Sequence, residues 1–443
     1  MTQLSLTIAV LLAASTAAAS MSPIKLSEDR RNFVTADGQS FFYLADTAWT
    51  IATRLTLDEV DEYLADRSEK GFNVVQLVFV PWGARSGGNR AGAKPFIDDD
   101  MGRPNPAYFD HVEAVLDRIE AKGMYPAVVP FWLAGLPEPA PNEAQAYHAY
   151  AMYLGQRFGK REMFWLLGAD RAADPYLEII RDFAAELSRS SGRKDLLMTH
   201  HPQGGQSSSR WFHYDEWLDF NMIQSGHNLD LPHYRLVDED YKRQPVKPVL
   251  DGESAYENLV NNLQQYEPGA RLVTAYDVRR QTYQNVFAGA AGIAYGCCEI
   301  YEFYRDGDGK ARWTVGIPWR DALKLPGSKQ VGHLAKLIAS RSPLDRMPAQ
   351  SLIASPNPDE PARHMKALRD KDGQWAYVYS PTGDAFKLDP VPLKQNRLKA
   401  QWFNPRDGQS GEAFPIAATA VSELRPPTAG PDQDWVLIID AGR

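Results

Sequence analysis

The sequence predicts a (β/α)8 TIM barrel followed by a small C-terminal antiparallel β-sandwich domain. Three observations carry that expectation. Eight short apolar runs alternate with amphipathic stretches between residues 41 and 341. Most of those runs end in an acid, amide, imidazole or indole side chain. After residue 345 the helical patterns stop, and β-type runs continue between Pro, Gly and Asp turns. The rival, a doubly wound open sheet, calls for a glycine-rich phosphate loop after an early strand. Here the first strand ends in ADTAW.

The predicted strands are FFYLADTAW (41–49), NVVQLVFVPW (73–82), MYPAVVPFW (124–132), MFWLLGAD (163–170), LLMTHHP (196–202), DFNMIQSGH (219–227), KPVLDGES (247–254) and GIAYGCCE (292–299). Each is an apolar run of strand length, as expected for parallel strands covered on both faces. The first helix is the clearest. Thr56 caps it, Glu59 completes a capping box, Leu57, Val60 and Leu64 share one face, and Gly71 ends it. Further helices are predicted over 108–123, 142–159, 175–192, 277–292 and 327–341. In the last hundred residues QWAYVYSP (374–381), LKAQWFNP (398–405) and DWVLIID (434–440) read as strands. The predicted organisation is a signal peptide at 1–19, a barrel at 20–345 and a β-domain at 346–443.

The N-terminal MTQLSLTIAVLLAASTAAAS has an apolar run and an Ala-rich cleavage pattern, which predict export to the periplasm or the cell exterior. No Lys or Arg precedes the run, and Met21 is an alternative start that would leave a cytoplasmic chain. No other apolar stretch is long enough to cross a bilayer. A net charge of -8 without a basic tract argues against a nucleic-acid partner. The two cysteines, Cys297 and Cys298, are adjacent, cannot build a disulfide framework, and are expected to be reduced.

Barrel active sites lie at the C-terminal ends of the strands. There the sequence places Asp46 and Trp49, Gln76 and Trp82, Trp132, Asp170, His200 and His201, Gln224 and His227, Glu253, and Glu299, from strands one to eight in turn. Two carboxylates among indoles and amides suit glycosidic bond hydrolysis. One acid protonates the leaving oxygen, and the other attacks the anomeric carbon or activates water. Aromatic faces stack on sugar rings, and Gln, His and Asp bond hydroxyls. Asp170 and Glu253, from strands four and seven, are the catalytic candidates, and the other ten residues are substrate-binding candidates. Asp251 shares strand parity with Glu253 and is expected one layer deeper, whereas Glu257 is expected in solvent. His200, His201 and His227 match no metal-ligand spacing, so no metal or cofactor is called for. A non-catalytic carbohydrate-binding protein is the alternative; a peptidase would need an HExxH or G-x-S-x-G motif that the chain lacks.

The segments ADTAWTIATRLTLDEVDEYLADRSEKGFNVVQ, MFWLLGAD, QSSSRWFHYDEWLDFNMIQSGH, LDGESAYE, DVRRQTYQNVFAGAAGIAYG and LPGSKQVGHL resemble the apiosidase-like glycosidases, glycoside hydrolase family 140 with its uncharacterised relatives. FNPRDGQ and DWVLIID resemble the β-domain that commonly follows that barrel. The resemblance implies a retaining, exo-acting glycosidase working on a terminal sugar of plant pectic side chains, an oligosaccharide or polysaccharide substrate. It places the acid/base on Asp170 and the nucleophile on Glu253. Two departures stand out: Ala169 replaces a usual glycine, and the strand-eight rim YGCCEIYEFY differs from the polar residues and Trp of relatives, so a sugar other than apiose is open.

Overall fold

The computed structural model describes residues 21–442 apart from 83–86, 135, 137–138, 141–142, 264–268, 310–313 and 315. The expected signal peptide therefore lies outside the described residues. Among these, no helix is long and apolar enough to cross a membrane.

All eight predicted strands form, each shorter than its apolar run: β1 (Tyr43–Thr47), β2 (Val74–Val78), β3 (Tyr125–Val129), β4 (Phe164–Leu167), β5 (Leu197–His200), β6 (Asn221–Gln224), β7 (Val249–Asp251) and β8 (Gly292–Tyr295). They are parallel, in the order β5-β4-β3-β2-β1-β8-β7-β6, and a short antiparallel strand, Gln206–Ser207, continues the sheet beside β6. Pairing of β8 with β1 curls the sheet round. Between β5 and β6 there is no strand ladder among the described residues. The two strands are instead joined by Asp219 N donating to Met198 O (2.9 Å) and Thr199 Oγ1 donating to Phe220 O (2.7 Å).

Strand alternation divides the apolar side chains into two layers. Tyr43, Ala45, Val74, Val78, Phe164, Leu166, Met222 and Leu250 face inward, whereas Leu44, Val75, Leu77 and Trp165 pack outward under the helices. A small antiparallel sheet (Ile24–Leu26, Phe33–Thr35, Ser40–Phe41) inserts Phe33 among the strand starts, edge-on to Phe164 (5.5 Å) and Phe220 (5.2 Å). It plugs the N-terminal end of the sheet interior, which leaves only the opposite end for a cavity.

The helices that matter for the site are α1 (Leu57–Glu69), α2 (Tyr234–Lys242) and α3 (Ala275–Phe287). In α1 Thr56 and Glu59 form the expected reciprocal capping box, and Val60, Tyr63, Leu64 and Arg67 are its buried residues. Thr56→Ala removes the acceptor for the Glu59 N–H. It should cost about 1 kcal/mol in urea unfolding, with no change in substrate affinity. Helix α2 was not evident in the sequence: only Tyr234, Val237 and Asp240 of its charged YRLVDEDYK segment are buried.

The C-terminal region is an antiparallel sheet domain of seven strands, with Trp375–Ser380 and Leu398–Asn404 flanking Trp435–Ala441. The expected sandwich is lopsided, since the second layer is a two-stranded sheet, Phe386–Leu388 with Ser422–Leu424. Alternate residues of the large sheet serve two cores. Ala376, Val378, Leu437 and Ile439 pack on the small sheet, while Tyr377, Tyr379, Val436 and Ile438 join the core around the parallel strands. Tyr379 stacks on Tyr283 of α3 at 4.9 Å. The same helix thus supports the β-domain on one side and the strands on the other.

Candidate active site

At the C-terminal ends of the strands lies a cavity of about 640 Å³, with Asp170 and Glu253 in its wall. Asp170 follows β4 on a tight backbone. Gly168 and Asp170 have φ of +71° and +47°, the second costly for a residue with a side chain. A side chain at Gly168 would also meet the His200 ring at 3.0 Å. Glu253 follows β7 on an equally close approach: a Cβ on Gly252 would lie 1.9 Å from Met222 Cε. Gly252 N donates to Ile223 O (2.9 Å) and Gly226 N to Glu253 O (3.0 Å), which ties the ends of β6 and β7 together.

The two carboxyl groups sit in different surroundings. Glu253 is 5% exposed. Its Oε2 lies 3.0 Å from His201 Nε2, and its Oε1 lies 3.3 Å from His227 Nε2. Tyr256 lies beside Glu253, and its hydroxyl accepts from Trp49 Nε1 at 2.7 Å. Burial disfavours the Glu253 charge, but the two imidazoles outweigh it and hold the carboxyl down to about 2. Asp170 goes the other way. Burial, then the charge on Glu253, push it up to about 6, against a smaller opposing pull from His201, His227 and the Gln224 amide.

Aromatic rings form the wall above. Trp132 meets Trp49 at 5.7 Å and Trp82 at 5.0 Å, Trp82 meets Tyr301 at 6.0 Å, and Tyr301 meets Tyr256 at 5.6 Å. Trp82 stands at the mouth, 38% exposed. Gln224 and His227 also line the cavity, so the structure brings Trp49, Trp82, Trp132, Gln224, His227 and the two acids together in its wall. His201 packs beneath Trp49 and Trp132 and reaches Glu253 rather than the open cavity.

Four expected substrate-binding residues lie elsewhere. Asp46 shares parity with Leu44 and faces outward, where Arg67 and Tyr63 of α1 take its carboxylate. Gln76 points inward but below the cavity, with Nε2 donating to Tyr43 OH at 3.1 Å. His200 is wholly buried, its Nδ1 2.9 Å from Leu167 O; burial and the neighbouring His201 push it down to about 3, so it is neutral. Glu299 falls in a one-turn helix, Cys298–Tyr301, and turns away to Asn258 Nδ2 (2.6 Å) and Thr314. Two neighbours of Glu253 also differ. Asp251 is on the outward face with Val249, bonded by Ser225 Oγ (2.9 Å) and Asn285 Nδ2 of α3 (2.7 Å), because the strand ends before Glu253 and parity does not carry across. Glu257 is buried, accepting from Tyr295 OH (2.7 Å) and Gly327 N (3.0 Å). Cys297 and Cys298 are buried and form no disulfide.

Sequence reasoning missed Tyr256 and Tyr301, which line the cavity together with Glu302. Tyr256 lies three residues after Glu253, so the tight turn at Gly252 was its one available signal.

A family model for the apiosidase-like catalytic domain matches residues 27–345. The chain belongs to the apiosidase-like family. A second model, for a collagen-binding domain of a collagenase, matches residues 347–440. Among solved structures, one described as a glycoside hydrolase is 28% identical, with a TM-score of 0.87 over 95% of this chain and 97% of its own. A glycoside hydrolase family 5 protein from Bacteroides vulgatus is 30% identical, with a TM-score of 0.85 over 95% of this chain and 93% of its own. A family 27 β-L-arabinopyranosidase from Geobacillus stearothermophilus shares the fold at a TM-score of 0.52 and 13% identity, over 90% of this chain and 96% of its own. No protein with a curated description matches. This apiosidase-like chain is thus a glycoside hydrolase, with its two cavity carboxyls held in opposite protonation preferences.

Proposed function

We propose that this apiosidase-like enzyme is a retaining, exo-acting glycosidase on a closed (β/α)8 barrel spanning 20–345, followed by a β-domain at 346–443. The substrate on this reading is a terminal sugar of plant pectic side chains. The observation that carries the mechanism is the split between the two carboxyls: Asp170 is raised to about 6, and Glu253 is lowered to about 2. Environments that push two carboxyls apart assign acid and nucleophile.

In the first step Glu253 attacks the anomeric carbon while Asp170 gives its proton to the leaving oxygen. The ester to Glu253 forms as the glycosidic bond breaks. With Glu253 esterified, the charge that raised Asp170 is gone, so Asp170 becomes the stronger acid and, as its carboxylate, takes a proton from the attacking water. His201, His227 and Tyr256 hold the nucleophile ionised and oriented between substitutions. The indole and phenol faces of the wall suit stacking on sugar rings.

The stereochemical test is direct. Proton NMR during hydrolysis of a pectic side-chain oligosaccharide or an aryl glycoside should show the first-formed product with the anomeric configuration of the substrate; the opposite anomer would rule out double displacement. A pH profile adds a second check. The acid must carry its proton, so kcat/KM should fall as pH rises through about 6 with Asp170. The nucleophile must be ionised, so the opposite limb should fall as pH drops toward about 2 with Glu253.

A further inference from the structure

The connection from β5 to β6 is unlike the others. It carries no full helix, only the four-residue turn Ser209–Phe212. Where a helix would cover the flank there is a groove of about 420 Å³, bounded by this segment and by α2. Both of its walls grow out of the catalytic cavity. Gly204 and Gly205 line the cavity and run directly into Gln206 of the groove; Leu231 and His233 line it and lead into Leu236 and Glu239.

The groove has three features that suit a saccharide. Tyr214 is 79% exposed, the most open of the large apolar side chains among the described residues, and Trp211 lines the same groove. Arg210 donates to Gln206 Oε1 at 2.9 Å, lies over the Trp211 ring at 5.3 Å, and makes no ion pair among the described residues. His213 is 1% exposed, and Asn221 Oδ1 takes up its Nδ1 at 3.2 Å, yet its Nε2 has no partner. A buried ring nitrogen left unpaired is costly, and a ligand hydroxyl would satisfy it. The charges in the groove balance. Arg243 is paired with Asp240 at 2.8 Å, and Arg210 and Glu239 both line the groove.

We propose that this groove is a second saccharide-binding site, which holds an uncharged stretch of polysaccharide with a sugar ring on Tyr214 and a hydroxyl on His213 Nε2. Aromatic faces bind the apolar face of a pyranose ring, and the Arg210, Gln206 and Glu239 side chains bridge its hydroxyls. Its continuity with the cavity walls would keep a branched substrate on the enzyme while a terminal sugar is removed. From the proposed function this site takes only the class of ligand.

Affinity electrophoresis tests it, using the full-length Glu253→Gln protein so that the gel polymer is not consumed. Retardation in soluble neutral galactan or arabinogalactan is expected, and adding Tyr214→Ala should weaken the apparent association about two- to tenfold, the size of one aromatic stacking contact. Arg210→Ala should weaken it as well, and polygalacturonate should retard the protein less than the neutral polymers. Tyr214 is exposed, so its truncation leaves the fold intact, which circular dichroism checks. Equal retardation with and without Tyr214, or preference for polygalacturonate, overturns the proposal. Hydrolysis that survives Glu253→Gln would instead sink the assignment of the nucleophile and leave the binding result standing.

Discussion

Glu253→Gln should lower turnover by about four orders of magnitude or more, the scale of losing a covalent nucleophile, while the fold survives. The glutamine keeps the volume of the side chain, so unfolding in urea should change little. The substitution has a second consequence that a purely structural role for Glu253 would not produce. Its charge is one of the two causes that raise Asp170. Removing it should move the Asp170 carboxyl downward in a carbon-13 NMR titration. An unchanged Asp170 would mean that the two groups do not sense each other across the cavity, and the paired-acid mechanism would fail.

Asp170→Ala should separate substrates by leaving group. For a natural glycoside, whose leaving alkoxide needs a proton, kcat/KM should fall about 10²- to 10⁴-fold, the usual contribution of a general acid. For an aryl glycoside with an acidic phenol the first step needs little protonation, so the covalent intermediate still forms and a burst of phenol precedes slow hydrolysis. Azide added to the assay should then speed the second step and give a glycosyl azide with the configuration of the substrate. The fall in activity above about pH 6 should vanish from the profile, since it belongs to this residue. Equal losses for both substrates, with the limb retained, would move the acid role to another residue, with Glu302 of the cavity wall the first to examine.

Most of the scaffold was legible because buried parallel strands leave a one-dimensional mark, a short apolar run bounded by polar residues. All eight such runs became strands, and the Thr56–Glu59 capping box formed as written. Helix α2 left no such mark because it buries one thin edge, and the β5–β6 connection gave no warning that it lacked a helix. The strand-end rule also placed Asp170 and Glu253 at the cavity, since each follows the C-terminal end of its strand.

By itself the chain determined the eight parallel strands, the family, and the two acids that face the same cavity. Tertiary structure decided what each polar strand-end residue does. Asp46, Gln76, His200 and Glu299 have the right chemistry for binding a sugar, yet side-chain direction and nearby partners commit them to the core. Protonation was decided there too: Asp170 and Glu253 are both simple carboxyls in the sequence, and their split arises from burial and the Glu253 charge at the first and from two imidazoles brought to the second from the ends of β5 and β6. Burial and through-space charge depend on distance between residues far apart in the chain, and no local pattern of letters encodes that distance.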